Sequence, residues 1–161
     1  MSNNKLNDLI QRRAKIEGGG DKDTRLSGQL SARDRIKYLL DPNSFVEIGA
    51  FMAHRNTDFN MSDKDTPADG VVTGYGIIDG TLVYVYSQDS SVLNGAVGEM
   101  HAKKICHIYD LALKMGAPVI GLIDSAGLRL QEATDALHGF GEVFLKQTLA
   151  SGVIPQYTAV F

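Results

Sequence analysis

The stretch IGLIDSAGLRLQE, Ile120–Glu132, runs from an apolar segment through a corner of small residues into an amphipathic one. Apolar side chains without polar alternation, here extending back to Ala117, mark a strand covered on both faces, as in a parallel-type sheet. Asp124-Ser125-Ala126-Gly127 then supplies the residue types that leave a strand readily and cap a following helix. Two readings fit this corner: ordinary turn chemistry, or a site that presents backbone N–H groups at a strand-to-helix junction.

Working outward, Val97 to Met115 is expected to be helical, with Met100, Ile105, Ile108, Ala112 and Met115 on one face and Gly116 and Pro118 ending it. Before it, VVTGYGIIDGTLVYVYSQD (Val71–Asp89) reads as two strands joined by Asp79-Gly80, a dipeptide suited to a tight hairpin. Gly74 and Gly76 lead into a turn and another strand, so they do not form a dinucleotide fingerprint, which needs a helix N-terminus there. They suit close backbone approach or curvature. Gln88–Ala96 is a small-residue loop. On the other side of the corner, a helix carries Leu137, Phe140, Val143, Phe144 and Leu149. Ser151-Gly152 ends it, and Tyr157–Phe161 reads as a further strand, left without its expected second neighbour.

Nearer the N-terminus, Ser31 is a good N-cap for a helix with Asp34 in its first turn and Ile36, Leu39 and Leu40 facing inward, ending at Asp41-Pro42. Phe45–Ile48 is a short strand. The polar span Ala53–Asp69 is expected to be a solvated loop, and Asp58, Asp63 and Asp65 lack calcium-loop spacing. Residues 3–16 place Leu6, Leu9, Ile10 and Ala14 at helical spacing, and Gly18-Gly19-Gly20 stops them. The order of elements predicts an α/β fold wound from repeated units, with its corners collected at one end of the sheet.

The chain has 161 residues, 43% hydrophobic and 22% charged, which suits one globular domain. A net charge of −3 gives no broad basic field, so nucleic acid is not expected as a partner. No apolar run approaches the roughly 18–20 residues of a membrane span, and MSNNKLNDLIQRR lacks a signal-peptide core, so the expected location is cytoplasmic. Cys106, the single cysteine, sits among apolar residues and reads as buried filler. His54, His101, His107 and His138 show no metal-ligand spacing, so no metal is expected.

If the corner is a site, its chemistry is that of an oxyanion hole. Two N–H donors aimed at one point stabilise an enolate or tetrahedral oxygen, each worth roughly 3 to 4 kcal/mol. One corner supplies one donor, and an acyl thioester, whose carbonyl becomes the enolate oxygen, is the natural substrate.

Five stretches occur together and in order: ARDRIKYLLDPNSFVEI, DGVVTGYGIIDG, QDSSVLNGAVGEMHAKKI, APVIGLIDSAGLRLQE and SGVIPQ. From Ala32 to Gln156 the sequence thereby resembles the N-terminal part of biotin-dependent carboxyltransferase subunits, the group of propionyl-CoA carboxylase beta chains and sodium-pumping decarboxylase alpha chains. The resemblance implies an incomplete crotonase-like (Clp/crotonase) spiral of ββα units. It divides the chain into residues 1–30, an N-terminal helix and glycine-rich linker, and residues 31–161, the N-terminal portion of a carboxyltransferase domain.

The family's corner usually reads D-S-G-G-A-R-x-Q-E; here Ala126 and Leu128 stand in place of a glycine and the alanine. By resemblance, the Leu128 N–H is the first oxyanion donor and Gly127 shapes the corner with it. A positive φ at Ala126 would be strained, and the bulk of Leu128 leaves substrate size open. Leu93, Asn94, Gly95 and Ala96 would line the pocket wall. Arg129 would hold the corner through a carboxylate or contact a CoA phosphate, and Lys103 and Lys104 would meet CoA phosphates.

The implied reaction moves a carboxyl group between carboxybiotin, borne by a biotin carboxyl carrier protein or domain, and the α-carbon of an acyl-CoA, in either direction. The implied assembly is a homo-oligomer, trimer or hexamer, of the full-length protein. The second donor and the biotin-facing half are expected beyond these residues, which alone are expected to be inactive. Three alternatives stay open: a malonyl-type decarboxylase subunit; a hydrolase with Ser125 activated by His101 or His138; and a non-catalytic binding or assembly module of the same fold.

Overall fold

A computed structural model describes residues 2–20 and 28–161. The division expected between residues 30 and 31 rests partly on residues 21–27, which lie outside that description. Helix α1 (Ser2–Gly18) is followed by α2 (Ala32–Leu39), the two-residue strand β1 (Val46–Glu47), β2 (Val71–Ile78), β3 (Thr81–Gln88), α3 (Glu99–Met115), β4 (Val119–Ile123), α4 (Ala133–Ala150) and β5 (Gln156–Val160). The strands form one sheet in the order β1-β2-β3-β4-β5. β1, β2 and β3 pair antiparallel, while β3, β4 and β5 run parallel, as helical crossovers require.

Local chemistry accounts for the elements. Asp79 and Gly80 take positive φ, 48° and 78°, and close the β2–β3 hairpin in the register Ile78↔Thr81. At Gly74 an added Cβ would collide with the Val46 carbonyl and the Phe45 ring, so this glycine admits β1 against β2. Ser31 caps α2 by accepting the Asp34 N–H at 3.1 Å, and Gly116 ends α3 in the left-handed conformation.

Period-2 alternation then sends side chains to two cores. Val72, Val83, Val85 and Leu122 meet Ala32, Ile36 and Leu40 of α2 on one face. Val71, Tyr84, Tyr86 and Val119 meet Ala102, Ile105, Ile108 and Ala112 of α3 and Val143 of α4 on the other. β4 is therefore covered on both faces, as its composition requires.

One expectation about faces needs correction. Met115 is 61% exposed because the helix has already turned past the core at its last residue. On α4, Val143 is buried, whereas Leu137, Phe144 and Leu149 are each more than half exposed.

Candidate active site

The corner after β4 lies on the loop Leu93–Ala96, which folds over it. Ala126 N–H donates to the Asn94 carbonyl at 2.9 Å, and Ser125 Oγ donates to the Gly95 carbonyl at 2.7 Å. Gly95 has φ 66°, and an added Cβ would collide with the Asp124 carbonyl oxygen, so only glycine allows this approach. The positive φ in the corner falls on Gly127, at 100°, and not on Ala126, so replacing the family's glycine by alanine costs nothing in backbone strain.

Beyond the turn, Leu128 forms a single parallel bridge with Val97. Val97 N–H donates to the Gly127 carbonyl at 2.8 Å and Arg129 N–H to the Val97 carbonyl at 2.9 Å. In a trans peptide the C=O and N–H point in opposite directions. Since the Gly127 carbonyl faces Val97, the Leu128 N–H of the same peptide faces away from it. Along Asp124–Arg129, the amides of Asp124, Ala126, Gly127 and Arg129 all donate within the protein, while those of Ser125 and Leu128 have no partner among the described residues.

Buried arginines fix both ends of the corner. Arg35, on α2, donates to Asp124 Oδ2 at 2.6 Å and lies over the Phe161 ring, 4.1 Å from its centroid. Ser90 Oγ and Gln29 Nε2 donate to the same carboxylate oxygen. Arg129, its side chain fully buried, donates to Asp69 Oδ1 at 2.6 Å, Glu132 Oε1 at 2.9 Å and the Ala96 carbonyl at 2.8 Å. Glu132 Oε2 in turn accepts the Glu99 N–H at 2.7 Å, which starts α3 where Gly98 offers no capping side chain.

The guanidinium of Arg129 is thus consumed inside the protein and does not reach a CoA phosphate. Arg129 takes the first of its two expected roles, holding the corner through carboxylates, whereas Lys104 departs from expectation. It is 2% exposed, with Nζ donating to the Ala68 and Val71 carbonyls, and burial pulls its ammonium down to about 8. Lys103 does stay on the surface, paired with Glu99 at 2.6 Å.

A mostly apolar cleft of about 260 Å³ adjoins the corner, lined by Ser125 and Gly127 together with Ile105, Phe140, Phe144 and Gln147. Val97 is among its walls, whereas Leu128 and the supporting loop Leu93–Ala96 are not. No hydrolytic triad forms among the described residues. Ser125 Oγ is engaged with Gly95 and accepts the Gly127 N–H, His101 is fully buried and bonded elsewhere, and His138 lies on the exposed side of α4 beside Glu142.

Residue-by-residue reading missed Asp69, Gln88, Glu132 and Arg35. Asp69 belongs to a span expected to be solvated, yet it is 0% exposed because its backbone closes a turn under α3 and its carboxylate meets Arg129. The available signal was that all four are polar residues inside the stretches that carry the family resemblance.

A family model described as "Carboxyl transferase domain" matches residues 23–161. The chain belongs to that family. As a carboxyl transferase domain it is 51% identical over 160 residues to the methylmalonyl-CoA decarboxylase subunit alpha of Propionigenium modestum, an alignment covering 97% of this chain and 31% of the relative. It is 52% identical over 159 residues to the propionyl-CoA carboxylase beta chain of Roseobacter denitrificans, with 96% and 31% covered. Among solved structures, the transcarboxylase 12S core, a hexamer solved with methylmalonyl-coenzyme A and methylmalonic acid bound, superposes with a TM-score of 0.94 at 40% identity. That alignment covers 99% of this chain and 32% of the other. A Pseudomonas malonate decarboxylase hetero-tetramer in complex with malonate aligns with a TM-score of 0.72 at 26% identity, covering 80% of this chain and 49% of that one. The fold of this carboxyl transferase domain is therefore crotonase-like, and the chain spans about a third of the length of the curated relatives it matches.

Among the described residues no group of acidic, histidine or cysteine side chains is placed to hold a metal, and no helix is long and apolar enough to cross a membrane.

Proposed function

We propose that this chain forms the acyl-CoA-binding corner of a carboxyltransferase subunit, acting in the cytoplasm within a homo-oligomer. The observation that carries this reading is the Leu128 peptide N–H: it has no partner among the described residues and is turned away from Val97 by the Gly127 carbonyl, while an arginine anchors each end of the corner. A donor held in place before substrate arrives stabilises a developing oxyanion without the cost of reorganisation.

With the thioester oxygen at Leu128, negative charge created at the α-carbon during carboxyl transfer spreads onto that oxygen. Gly127, among the cleft's walls, gives the acyl carbonyl close approach to backbone, and the apolar side chains Ile105, Phe140 and Phe144 suit a small aliphatic acyl group. A partner carrier would supply the carboxyl group as carboxybiotin or take it up as biotin, and the biotin group would also exchange the α-proton, leaving this chain's residues to hold the thioester oxygen. No side chain of this corner is then required as general base, which agrees with a neutral, buried His101 and an engaged Ser125. The two relatives, one a decarboxylase subunit and one a carboxylase chain, stand at 51% and 52% identity, so decarboxylation is supported equally with carboxylation.

The test is a chimera in which this chain replaces the matching third of the Propionigenium modestum subunit. The chimera is expected to turn over methylmalonyl-CoA. Leu128→Ala, which keeps the N–H, should preserve turnover, and Leu128→Pro, which deletes it, should lower kcat by about 10²–10³. Equal activity of the two variants would remove Leu128 from the reaction.

A further inference from the structure

A buried polar line runs behind the corner. The Asp124 N–H donates to Gln88 Oε1 at 3.2 Å, Gln88 Nε2 lies 3.1 Å from His101 Nε2, and His101 Nδ1 lies 2.9 Å from the Asp69 carbonyl oxygen. Asp69 Oδ2 accepts the backbone N–H of His101 at 2.7 Å, and its Oδ1 takes Arg129. The line thus leaves the first residue of the corner and returns at Arg129, its sixth. Gln88, His101 and Asp69 are 3%, 0% and 0% exposed.

Each contact dictates the next. A backbone carbonyl only accepts, so His101 Nδ1 carries the proton. Burial, reinforced by the positive charges of Arg129 from the corner and Lys104 from its own helix, pulls His101 from its ordinary 6.5 down to about 3; only a backbone hydrogen bond at Asp69 pulls the other way. The imidazole is therefore neutral and Nε2 is an acceptor. Gln88 must then turn its NH₂ toward His101, which leaves its carbonyl oxygen for the Asp124 N–H. One tautomer and one amide orientation satisfy every group.

We propose that Gln88 and His101 are positioning residues: through the Asp124 peptide and Asp69–Arg129 they set the direction in which the Leu128 N–H points. This rests on the thioester reading given above. His101 takes no part in proton transfer, because both ring nitrogens are occupied and shut away from solvent. The relay acts on the orientation of one peptide, so its loss should show locally at the corner before it shows in the global fold.

The test uses the 161-residue protein labelled with ¹⁵N. Imidazole spectra at pH 7 and pH 5 should show His101 with a protonated Nδ1 and a bare Nε2 at both values; an Nε2–H tautomer, or an imidazolium at pH 5, overturns the relay, and this measurement needs no variant to fold. Gln88→Leu removes both bonds at similar volume. It should speed hydrogen exchange of the Asp124 amide at least tenfold, with exchange in the middle of α3 unchanged, and weaken the response of the Leu128 amide to propionyl-CoA at least tenfold. His101→Asn, which keeps a donor for Asp69 and deletes the acceptor for Gln88, should do the same to a lesser degree. Wild-type exchange and response in these variants overturn the proposal while leaving the thioester reading intact. Absence of any Leu128 response in the unsubstituted protein counts against the thioester reading instead, and the tautomer and Asp124 exchange then decide the relay alone.

Discussion

Three residues set the corner, and each makes a separate prediction. Gly95 is confined by a positive φ and by the Asp124 carbonyl against it, so Gly95→Ala should lower stability by about 2 kcal/mol or more in urea titrations. Arg129 answers Asp69 and Glu132 inside the protein. Burial already pushes the Asp69 carboxyl upward against the pull of Arg129, so without the guanidinium the acid is left to take up a proton or stay charged at high cost. Arg129→Leu should therefore lose about 3–5 kcal/mol, and the double variant with Asp69→Leu should recover part of it. His101 makes stability depend on pH. Unfolded, it gains a proton below about 6.5; folded, it refuses one until about 3, so stability falls as pH drops through that interval. Between pH 5.5 and 4.5 His101 should contribute about 1.4 kcal/mol per pH unit to the slope, and His101→Asn should remove that share. At this scale the sequence was legible where backbone chemistry decides, as in the small-residue turn Asp124–Gly127 that follows β4. It was not legible at Lys104, because a charged side chain on a helix is exposed by default and only the fold shows which carbonyls enclose it; for Arg129 the expected carboxylate role holds, but the identity of its partners, Asp69 and Glu132, came only with the fold.

The elements were more readable than their surroundings. Ser31 with Asp34, Asp79-Gly80 and Gly116 each act through contacts within a few residues, so capping and turn rules place α2, the β2–β3 hairpin and the end of α3. Ser31→Ala should accordingly cost about 1 kcal/mol, measured by thermal or urea unfolding, without changing the spectrum of the corner beyond Asp124. Asp69 was hidden for the opposite reason. Its partners Arg129 and His101 lie 60 and 32 residues away, and a polar span with few apolar anchors gives no local sign that its last residues turn under α3. The same limit applies to α4, whose apolar residues cover more of its circumference than the described core can bury.

For the whole molecule, ordered motifs carried the fold: they named the crotonase-like architecture that superposition on transcarboxylase 12S then established. What they did not supply was the double anchorage of the corner, because Arg35 approaches from α2 on one face of the sheet and the Arg129–Asp69 pair lies with α3 on the other. As the chain spans about a third of its relatives and the proposed corner supplies a single oxyanion donor, at Leu128, the 161 residues alone should show negligible turnover of propionyl-, malonyl-, methylmalonyl- or glutaconyl-CoA; robust turnover would show that the remaining length is dispensable. The most direct test of the thioester corner is a titration of the labelled protein with propionyl-CoA and, separately, with the thioether analogue that lacks the carbonyl. The Leu128 amide proton should move downfield with the thioester and stay in place with the thioether. An unmoved Leu128 resonance, or the same shift with both compounds, would contradict the assignment of that N–H to the thioester oxygen.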